Sequence, residues 1–186
     1  MISGVLSGVL SGHSNPLNCV ALSRDNNYVV SGDDKEGTMI THSTKTGIVE
    51  NQALNVFVGV NGVKGLCYLP NGSLVACGYN TQGGLKVFSP SLELVQTLVG
   101  HDGPVFCVTV SPSGFHIASG GRDKKVMIWS ESGEGGDWAR VQVLEDHTDW
   151  IWAVCFSPDG KQLATGSEDK LIKTYSFNEG SAILAH

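Results

Sequence analysis

The sequence has no motif for binding a nucleotide and no cysteine pattern for binding a metal. Neither G-x-x-x-x-G-K-[ST] nor G-x-G-x-x-G occurs in its 186 residues, which argues against a phosphate-binding loop. The cysteines number 5, and no two of them form a C-x-x-C pair: Cys19, Cys67, Cys77, Cys107 and Cys155. Because the number is odd and no secretory signal is present, we expect buried, reduced thiols. The sequence predicts neither a cofactor nor a metal.

Basic residues and long apolar runs are also scarce. Lys and Arg number 12 against 18 Asp and Glu, and the net charge is −6. A nucleic-acid backbone is therefore not expected as a direct partner, because nucleic-acid footprints are basic. The opening segment MISGVLSGVLSG spaces Gly4, Gly8 and Gly12 like a membrane helix-packing motif, but it is too short to span a bilayer. We expect no membrane association and interpret residues 1–12 as an outer β-strand that belongs to a preceding or closing structural unit.

Glycine is abundant, and the apolar residues come in short runs. The chain contains 24 Gly and 6 Pro, and 41% of its residues are hydrophobic. Runs such as VFCVTVS, HIASGG and VMIWS are rich in β-branched and aromatic residues and are separated by turn sequences such as SPSG. No window has sustained helical periodicity. The predicted fold class is all-β.

Residues 101–129 recur almost letter for letter at residues 147–175. Four polar or aromatic pairs align at a constant separation of 46: His101 with His147, Ser119 with Thr165, Asp123 with Asp169, and Trp129 with Tyr175. A fixed period in the forties indicates one supersecondary unit used several times. Such a unit cannot bury its apolar face alone, so neighbouring units must form the core together.

Two weaker repeats precede this pair. A shift of 88 aligns His13 and Ser31 with His101 and Ser119, whereas a shift of 42 places Gly59 and Cys77 there. The predicted organisation is repeat 1 at 13–58, an eroded repeat 2 at 59–100, repeat 3 at 101–146, and repeat 4 with the start of a next repeat at 147–186. Each repeat reads as four antiparallel strands.

These residues resemble the WD-repeat β-propeller family, whose repeat carries GH, SPDG, LATGSED and a strand ending in Trp. The resemblance implies a hydrogen-bond relay in each blade, formed in repeat 3 by His101, Ser119, Asp123 and Trp129. In repeat 4 it implies His147, Thr165, Asp169 and Tyr175. Repeat 1 retains His13 and Ser31 but has Lys35 and Thr41 at the other two positions. Repeat 2 retains none, so its relay should be absent.

Ser119, His101 and Asp123 also have the residue types of a hydrolase triad. A catalytic serine needs an exposed, activated hydroxyl beside an oxyanion site, yet Ser119 lies inside a predicted strand without a G-x-S-x-G elbow. Repeat 4 carries the same set with Thr at this position. We therefore interpret the set as structural and predict no enzymatic activity.

Binding is expected on one rim, at residues that enter each innermost strand or precede the turn aspartate. By alignment the candidates are Trp150, Trp152, Phe106, Arg122, Glu168, Pro104, Pro16, Asn18, Lys64 and Asp34. Trp and Arg are residue types that dominate interface hot spots. Alternation around Ile151 places both tryptophans on one strand face. The alternatives are that Trp152 only packs between blades and that Arg122 is a solvated turn residue.

The resemblance implies a protein-interaction scaffold or adaptor inside the cell, in the cytoplasm or nucleus, with other proteins as partners. The alternative is a structural subunit of a cytoskeletal or ribonucleoprotein assembly held through open blade edges. Because most members of this family have about seven blades, four repeats predict part of a larger ring or an incomplete propeller. Self-association or another chain would complete it; a closed four-bladed ring is the other possibility.

Overall fold

The computed structural model describes residues 8–57, 62–79, 84–132, 136–178 and 181–185. Every regular element in these residues is a strand, and the 16 strands form four sheets of four. Within each sheet the strands are antiparallel and follow chain order. This confirms the predicted all-β fold, and we number the sheets as blades 1–4 along the chain.

The strand bounds show how evenly the chain is divided. Blade 1 contains β1 (Leu17–Leu22), β2 (Tyr28–Asp33), β3 (Met39–Ser43) and β4 (Val49–Ala53). Blade 2 contains β5 (Val63–Tyr68), β6 (Leu74–Gly78), β7 (Leu85–Phe88) and β8 (Leu94–Leu98). Blade 3 contains β9 (Val105–Val110), β10 (His116–Gly121), β11 (Val126–Ser132) and β12 (Asp137–Leu144). Blade 4 contains β13 (Ile151–Phe156), β14 (Gln162–Ser167), β15 (Ile172–Asn178) and β16 (Ser181–Leu184).

The turn between the first two strands of each blade contains a residue with positive φ. Gly72, Gly114 and Gly160 have φ of 85°, 85° and 71°, and Asn26 has 59° at the same place in blade 1. Glycine adopts this left-handed conformation without a steric cost, and asparagine tolerates it. These residues therefore allow the chain to reverse direction between the first and second strands of each blade.

The core consists of three apolar layers between consecutive blades. The first strands of consecutive blades are neighbours, so each blade packs one face on the blade before it. Each layer contains buried residues of two blades: Met39 and Leu74 from blades 1 and 2, Leu85 and Trp129 from blades 2 and 3, and Val126 and Tyr175 from blades 3 and 4. In the described residues the four sheets form an open row, which leaves one face uncovered on blade 1 and one on blade 4.

Three local features differ from what the sequence suggests. Residues 8–12, the described part of the predicted first outer strand, have no strand pairing. The acidic, glycine-rich segment after Trp129 is largely a hairpin of β11 and β12, and its Trp138 is buried at 6% exposure. Cys155 is exposed, against the expectation of a buried thiol, because it lies on the open face of blade 4. Across the described ranges, no helix is long and apolar enough to cross a membrane.

Candidate functional site

Blade 3 contains a complete four-residue hydrogen-bond relay. The Asp123 carboxylate accepts from Nδ1 of His101 at 2.9 Å, and Nε2 of His101 lies 2.8 Å from the Ser119 hydroxyl. Ser119 Oγ in turn accepts from Nε1 of Trp129 at 2.9 Å. Because a carboxylate can only accept, it fixes the proton on Nδ1 of His101 and leaves Nε2 to accept from the hydroxyl. The relay joins the entry loop, β10, the β10–β11 turn and β11.

Blade 4 reproduces two of these three contacts. Nδ1 of His147 lies 2.7 Å from the Asp169 carboxylate, and its Nε2 lies 2.8 Å from the Thr165 hydroxyl. The fourth residue departs from the expected pattern. The Tyr175 hydroxyl donates to Asp146 at 3.2 Å, because a phenol is longer and narrower than an indole and its donor lies at the far end of the ring. Tyr175 therefore connects β15 to the segment before His147.

Blade 1 has a partial relay, in which His13 and Ser31 are the aligned residues but the nearby carboxylate is not. Nε2 of His13 lies 2.8 Å from the Ser31 hydroxyl, but Nδ1 has only a 3.7 Å contact with Asp33 and no hydrogen-bond partner. Lys35, aligned with the turn aspartate, is instead an exposed residue whose backbone N–H is held by Asp33. The carboxylate near the histidine is thus Asp33.

Thr41 does not stand where Trp129 stands in blade 3. Trp129 on β11 pairs with Ile117 on the neighbouring strand β10. The equivalent pair in blade 1 is His42 on β3 with Val29 on β2, so His42 holds the position of Trp129. The turn from β2 to β3 is one residue longer than the turn from β10 to β11, so a constant shift misplaces every later position. The Thr41 hydroxyl is buried without a hydrogen-bond partner among the described residues.

Two of the four relay positions of blade 2 lie among the described residues, and neither of them holds a relay residue. Ala76 pairs with Leu66 and Lys86 as Ser119 pairs with Val108 and Met127, so Ala76 and not Cys77 holds the serine position. The β5–β6 turn is one residue shorter than the β9–β10 turn, which explains the misplacement. Phe88 occupies the position of Trp129. Gly59, aligned with the histidine, lies outside the described residues.

Two relay carboxylates have lowered pKa values. Burial of Asp123 would raise its pKa, but the hydrogen bond from His101 and those from backbone N–H groups outweigh this effect and lower the pKa below its usual value. Asp169 has its pKa lowered in the same way, with desolvation opposed by the hydrogen bond from His147. Burial, followed by the charge of Asp146, raises the pKa of Tyr175. Both aspartates are therefore acceptors at neutral pH.

The relay geometry gives Ser119 no access to a substrate. Its side chain is 0% exposed, and its oxygen accepts from Trp129. A nucleophile needs an approach path for the electrophilic carbon, and a buried hydroxyl inside a sheet has none. No three His, Cys, Asp or Glu side chains in the described ranges lie close enough together to hold a metal ion.

An aromatic cluster projects from the rim where β9 and β13 begin. The rings of Phe106 and Trp152 are stacked, with centroids 4.5 Å apart and an interplanar angle of 12°. The Trp150 ring lies 5.9 Å from both of these rings. Ile151 between the tryptophans is 0% exposed, whereas Trp150 and Trp152 are 36% and 48% exposed. Trp152 thus packs on the neighbouring blade and still presents about half of its surface.

Two charged residues flank this cluster on its solvent side. The guanidinium of Arg122 lies over the Trp150 ring at 5.4 Å from its centroid. The Trp152 indole donates from Nε1 to the Glu168 carboxylate at 2.8 Å. Arg122 is exposed, and its guanidinium makes a cation–π contact with Trp150. We call Phe106, Trp150, Trp152, Arg122 and Glu168 the aromatic rim.

The other predicted binding residues are not among the ring contacts of the aromatic rim. Pro104 is buried beneath it, and its carbonyl accepts from the Arg122 backbone N–H. Asn18 donates to the carbonyl of Val63 at 3.0 Å and so connects blades 1 and 2. Lys64, Pro16 and Asp34 stand at equivalent places on these two blades, where the Pro16 carbonyl accepts from the Asp34 N–H.

Tyr79 is a rim residue that the sequence alignment missed. Its ring centroid lies 6.4 Å from that of Phe106. Its backbone N–H bonds to the carbonyl of Gly62, as the N–H of Glu168 bonds to Trp150. A shift of 42 places Asn80 at this position, one residue away, because of the shorter β5–β6 turn. Only a gap inside repeat 2 could have revealed it.

Glutamine side chains form a second connection between blades that the sequence reasoning missed. The amide of Gln96 donates to the Trp138 carbonyl at 2.9 Å and accepts from the Trp138 N–H at 2.8 Å. Gln142, which stands 46 residues later, makes the same pair of bonds with Ala182 at 2.7 Å each. The equivalent residue on blade 1 is the shorter Asn51, which reaches only the Pro90 carbonyl at 3.4 Å. The signal was the recurring VQ-x-L.

Comparison with known families agrees with the repeat pattern. The family described as WD domain, G-beta repeat matches residues 4–39, 92–130 and 138–176, together more than half of the chain. The matched ranges leave out residues 40–91, which contain β5, β6 and β7 of blade 2, where the two described relay positions hold Ala76 and Phe88.

Several curated proteins are similar to this chain. Serine-threonine kinase receptor-associated protein of Gallus gallus is 28% identical over 65% of this chain and 44% of its own length. Periodic tryptophan protein 2 homolog of Schizosaccharomyces pombe is 40% identical over 32% of this chain and 7% of its own. Intraflagellar transport protein 122 homolog of Danio rerio is 36% identical over 38% of this chain and 6% of its own. This chain thus spans less than half the length of these relatives.

Proposed function

The chain belongs to the WD-repeat family, and we propose that it is a non-catalytic scaffold or adaptor that binds a segment of a partner protein at the aromatic rim. The observation that carries the proposal is the exposure of two neighbouring tryptophans, at 36% and 48%, on one rim. Trp, Tyr and Arg are enriched among interface hot spots. Trp buries a large area and has only two rotatable side-chain bonds, so it loses little conformational entropy on binding.

The aromatic rim is held in a fixed geometry before any partner arrives. The Asp169 carboxylate accepts from the backbone N–H of Thr148, and the Ser167 hydroxyl donates to the carbonyl of Asp149. Both bonds immobilise the loop that leads from His147 into Trp150. A pre-organised surface loses less conformational entropy on binding, so more of the contact energy becomes affinity.

The charge of the rim supports a protein partner. Arg122 offers donors beside an apolar surface, and Glu168 offers an acceptor beside the same surface. A bound segment with an apolar anchor and flanking polar groups would satisfy both kinds of group. The net charge of −6 disfavours direct binding to nucleic acid. Relatives are named as receptor-associated and as intraflagellar transport proteins, which accords with an adaptor inside the cell.

A random-sequence peptide display library tests this proposal. The unchanged chain should enrich a set of related peptides, and Trp152→Ala and Arg122→Ala should each lose them while melting at nearly the same temperature. Phe115→Ala is the matched control, because Phe115 is an aromatic residue of blade 3 with 61% exposure outside the aromatic rim. Enriched peptides that bind all three variants equally well would contradict the proposal.

A second function is favoured by a different observation. Leu17 on blade 1 and Ile172 on blade 4 are 56% and 80% exposed on the two uncovered blade faces. A structural subunit held by its neighbours through these faces would bury them. Under that function the substitutions at Trp152 and Arg122 would be silent, and substitutions on the blade faces would release the protein from its assembly.

A further inference from the structure

A cavity lies between blades 1 and 2, near the ends of β1 and β5 and away from the aromatic rim. Its volume is about 590 Å³, which is within the range of about 300–1,000 Å³ that is typical of small-molecule sites. The residues of its lining that matter here come from both blades: Tyr28, Thr41 and Asn51 from blade 1, and Tyr68, Pro70 and Pro90 from blade 2. We call this space the hydroxyl cavity.

Two side chains of the hydroxyl cavity are polar where the other blade interfaces are apolar. Strand pairing gives each blade one equivalent of Thr41 on its third strand and one equivalent of Tyr68 on its first strand. The equivalents at the next two interfaces are all apolar: Val87 with Val110 between blades 2 and 3, and Ile128 with Phe156 between blades 3 and 4. These four residues belong to the apolar layers of their interfaces. Blades 1 and 2 therefore replace apolar packing by two hydroxyl groups at this depth.

A third departure leaves the outer side of the cavity without a cross-link. Gln96 and Gln142 each make two hydrogen bonds to the backbone of the following blade. Asn51 holds their position on β4 but reaches only the Pro90 carbonyl, at 3.4 Å. The shorter side chain therefore leaves the two blades less tightly joined beside the cavity.

The two hydroxyl groups of the cavity are buried and have no hydrogen-bond partner among the described residues. This is true of Oγ1 of Thr41 and of the phenolic oxygen of Tyr68, and Thr41 is only 4% exposed. Burial raises the pKa of Tyr68 to about 12, and the Thr41 hydroxyl partly offsets this rise, so the two groups are neighbours. An unpaired buried hydroxyl costs stability. A ligand that pairs both hydroxyls would remove that cost on binding.

The charged residues of the lining lie at the mouth of the cavity and not beside the hydroxyls. Arg24, Asp25 and Glu50 are all exposed. Arg24 donates to the Ser111 carbonyl at 3.3 Å, and Asp25 accepts from the Ser23 hydroxyl at 2.6 Å. An ion that reached the buried hydroxyls would lose its hydration without gaining an opposite charge. The cavity is therefore suited to an uncharged ligand.

We propose that the hydroxyl cavity binds a small uncharged ligand that carries an amide group on a flat apolar ring. An amide presents an acceptor and a donor on neighbouring atoms, and a hydroxyl can both donate and accept, so Thr41 and Tyr68 complement it. The ring would lie against Tyr28, Pro70 and Pro90. Because both hydroxyl oxygens are shielded from water in the free chain, Thr41 must change rotamer on binding. A rotation of about 120° about its Cα–Cβ bond exchanges the methyl and hydroxyl groups.

Benzamide is the simplest probe of this chemistry, and amide ¹H–¹⁵N spectra of the unchanged chain follow its binding. We expect saturable shifts at the backbone N–H groups of Thr41 and Tyr68 and none at the indole N–H of Trp152 on the aromatic rim. Benzoate has the same ring with a negative charge and no N–H donor. It should bind at least about tenfold more weakly, because its charge loses hydration at the hydroxyls.

Two substitutions remove one hydroxyl each and nearly preserve the shape of the cavity. Thr41→Val and Tyr68→Phe should each weaken benzamide binding at least about fivefold. Neither should lower the melting temperature, because each lost hydroxyl has no partner in the free chain. A residue with only a packing role would lose stability together with affinity. Thr97→Val is the matched control, because Thr97 is exposed on β8 outside the cavity.

Three results would overturn the proposal. The first is the absence of saturable shifts at Thr41 and Tyr68 when benzamide is added to the unchanged chain. The second is equal binding of benzamide and benzoate. The third is benzamide binding that neither Thr41→Val nor Tyr68→Phe weakens relative to Thr97→Val.

Discussion

Blades 3 and 4 differ from blades 1 and 2 in how completely they satisfy their buried polar groups. In blade 3 every member of the relay has its partner, and in blade 4 His147 is bonded at both ring nitrogens. In blade 1, Nδ1 of His13 and the hydroxyl of Thr41 are buried without partners. An unpaired buried polar group weakens a fold by its full desolvation cost, whereas a complete network fixes strand register.

Blades 3 and 4 also differ from blades 1 and 2 at the rim positions that are predicted to bind a partner. The aromatic rim rests on blades 3 and 4, where the relays immobilise the entry loops. The equivalent positions on blades 1 and 2 hold smaller or charged residues, such as Asn18 and Lys64. We infer that recognition is built on the half of the molecule that is rigid on its own.

The largest expected effect is at the turn aspartate of blade 3. Asp123→Ala should lower the free energy of unfolding by about 2–4 kcal/mol, because it leaves His101 buried without its acceptor. The comparison variant His13→Ala removes one hydrogen bond on an uncovered face and should cost about 1 kcal/mol. Urea unfolding monitored by tryptophan fluorescence measures both. Equal losses would remove the distinction between the two halves.

The second largest effect is expected from acid, which should destabilise the relays of blades 3 and 4. The pKa of Asp123 is lowered in the folded chain, so the ionised carboxylate adds stability that is fully present above about pH 4 and is lost as the pH falls through the folded-state pKa. The difference in melting temperature between the unchanged chain and Asp123→Asn should therefore shrink as the pH falls below this range. A constant difference at every pH would show that the charge does not matter.

The glutamine connections should give a smaller contrast. Gln142→Ala removes two hydrogen bonds of 2.7 Å to Ala182 and should cost about 1–2 kcal/mol. Asn51→Ala removes one exposed contact of 3.4 Å and should change stability by less than about 0.5 kcal/mol. Thermal unfolding of both variants compares the outer-strand connections of the two halves. A larger loss at Asn51 than at Gln142 would contradict this account.

The smallest effect, with the opposite sign, is expected at Thr41. Thr41→Val removes a buried hydroxyl that has no partner and should be neutral or stabilising by up to about 1 kcal/mol. Thr165→Val is the matched substitution in blade 4, where the hydroxyl is bonded to His147, and it should destabilise by about 1–2 kcal/mol. Differential scanning calorimetry resolves the two directions. Loss of stability at Thr41 would mean that its hydroxyl has a partner after all.

The frame of the fold was predictable because turn chemistry and a constant period of 46 are local features of the sequence. Positions that depend on turn length were not. Because of one extra residue between β2 and β3, His42 holds the structural position that the alignment assigns to Thr41. Because of one missing residue between β5 and β6, Ala76 holds the position that the alignment assigns to Cys77. Strand pairing, which a gapless alignment does not contain, decides both.

The residues of the candidate site were also predictable where they depend on local sequence and not where they depend on turn length. Trp150, Trp152 and Phe106 follow from strand alternation, which places alternate residues on one face. Tyr79 was hidden by the shift inside repeat 2. Asp33 was hidden because it ends β2, at the position that Gly121 holds in blade 3, and not in the turn where the alignment places the aspartate. The buried position of Trp138 depends on the long β11–β12 hairpin, whose strands continue through a segment that reads as a loop. These features arise from register across strands and not from residue type.

Hydrogen exchange of the backbone amides tests the division into a rigid and a weaker half most directly. β10 and β6 belong to blades covered on both faces, and β14 and β2 belong to blades with one open face, so each pair is matched for exposure. The account predicts that β10 exchanges at least about tenfold more slowly than β6, and β14 more slowly than β2, which corresponds to about 1.4 kcal/mol. Equal protection within both pairs, or faster exchange in β10 and β14, would contradict it.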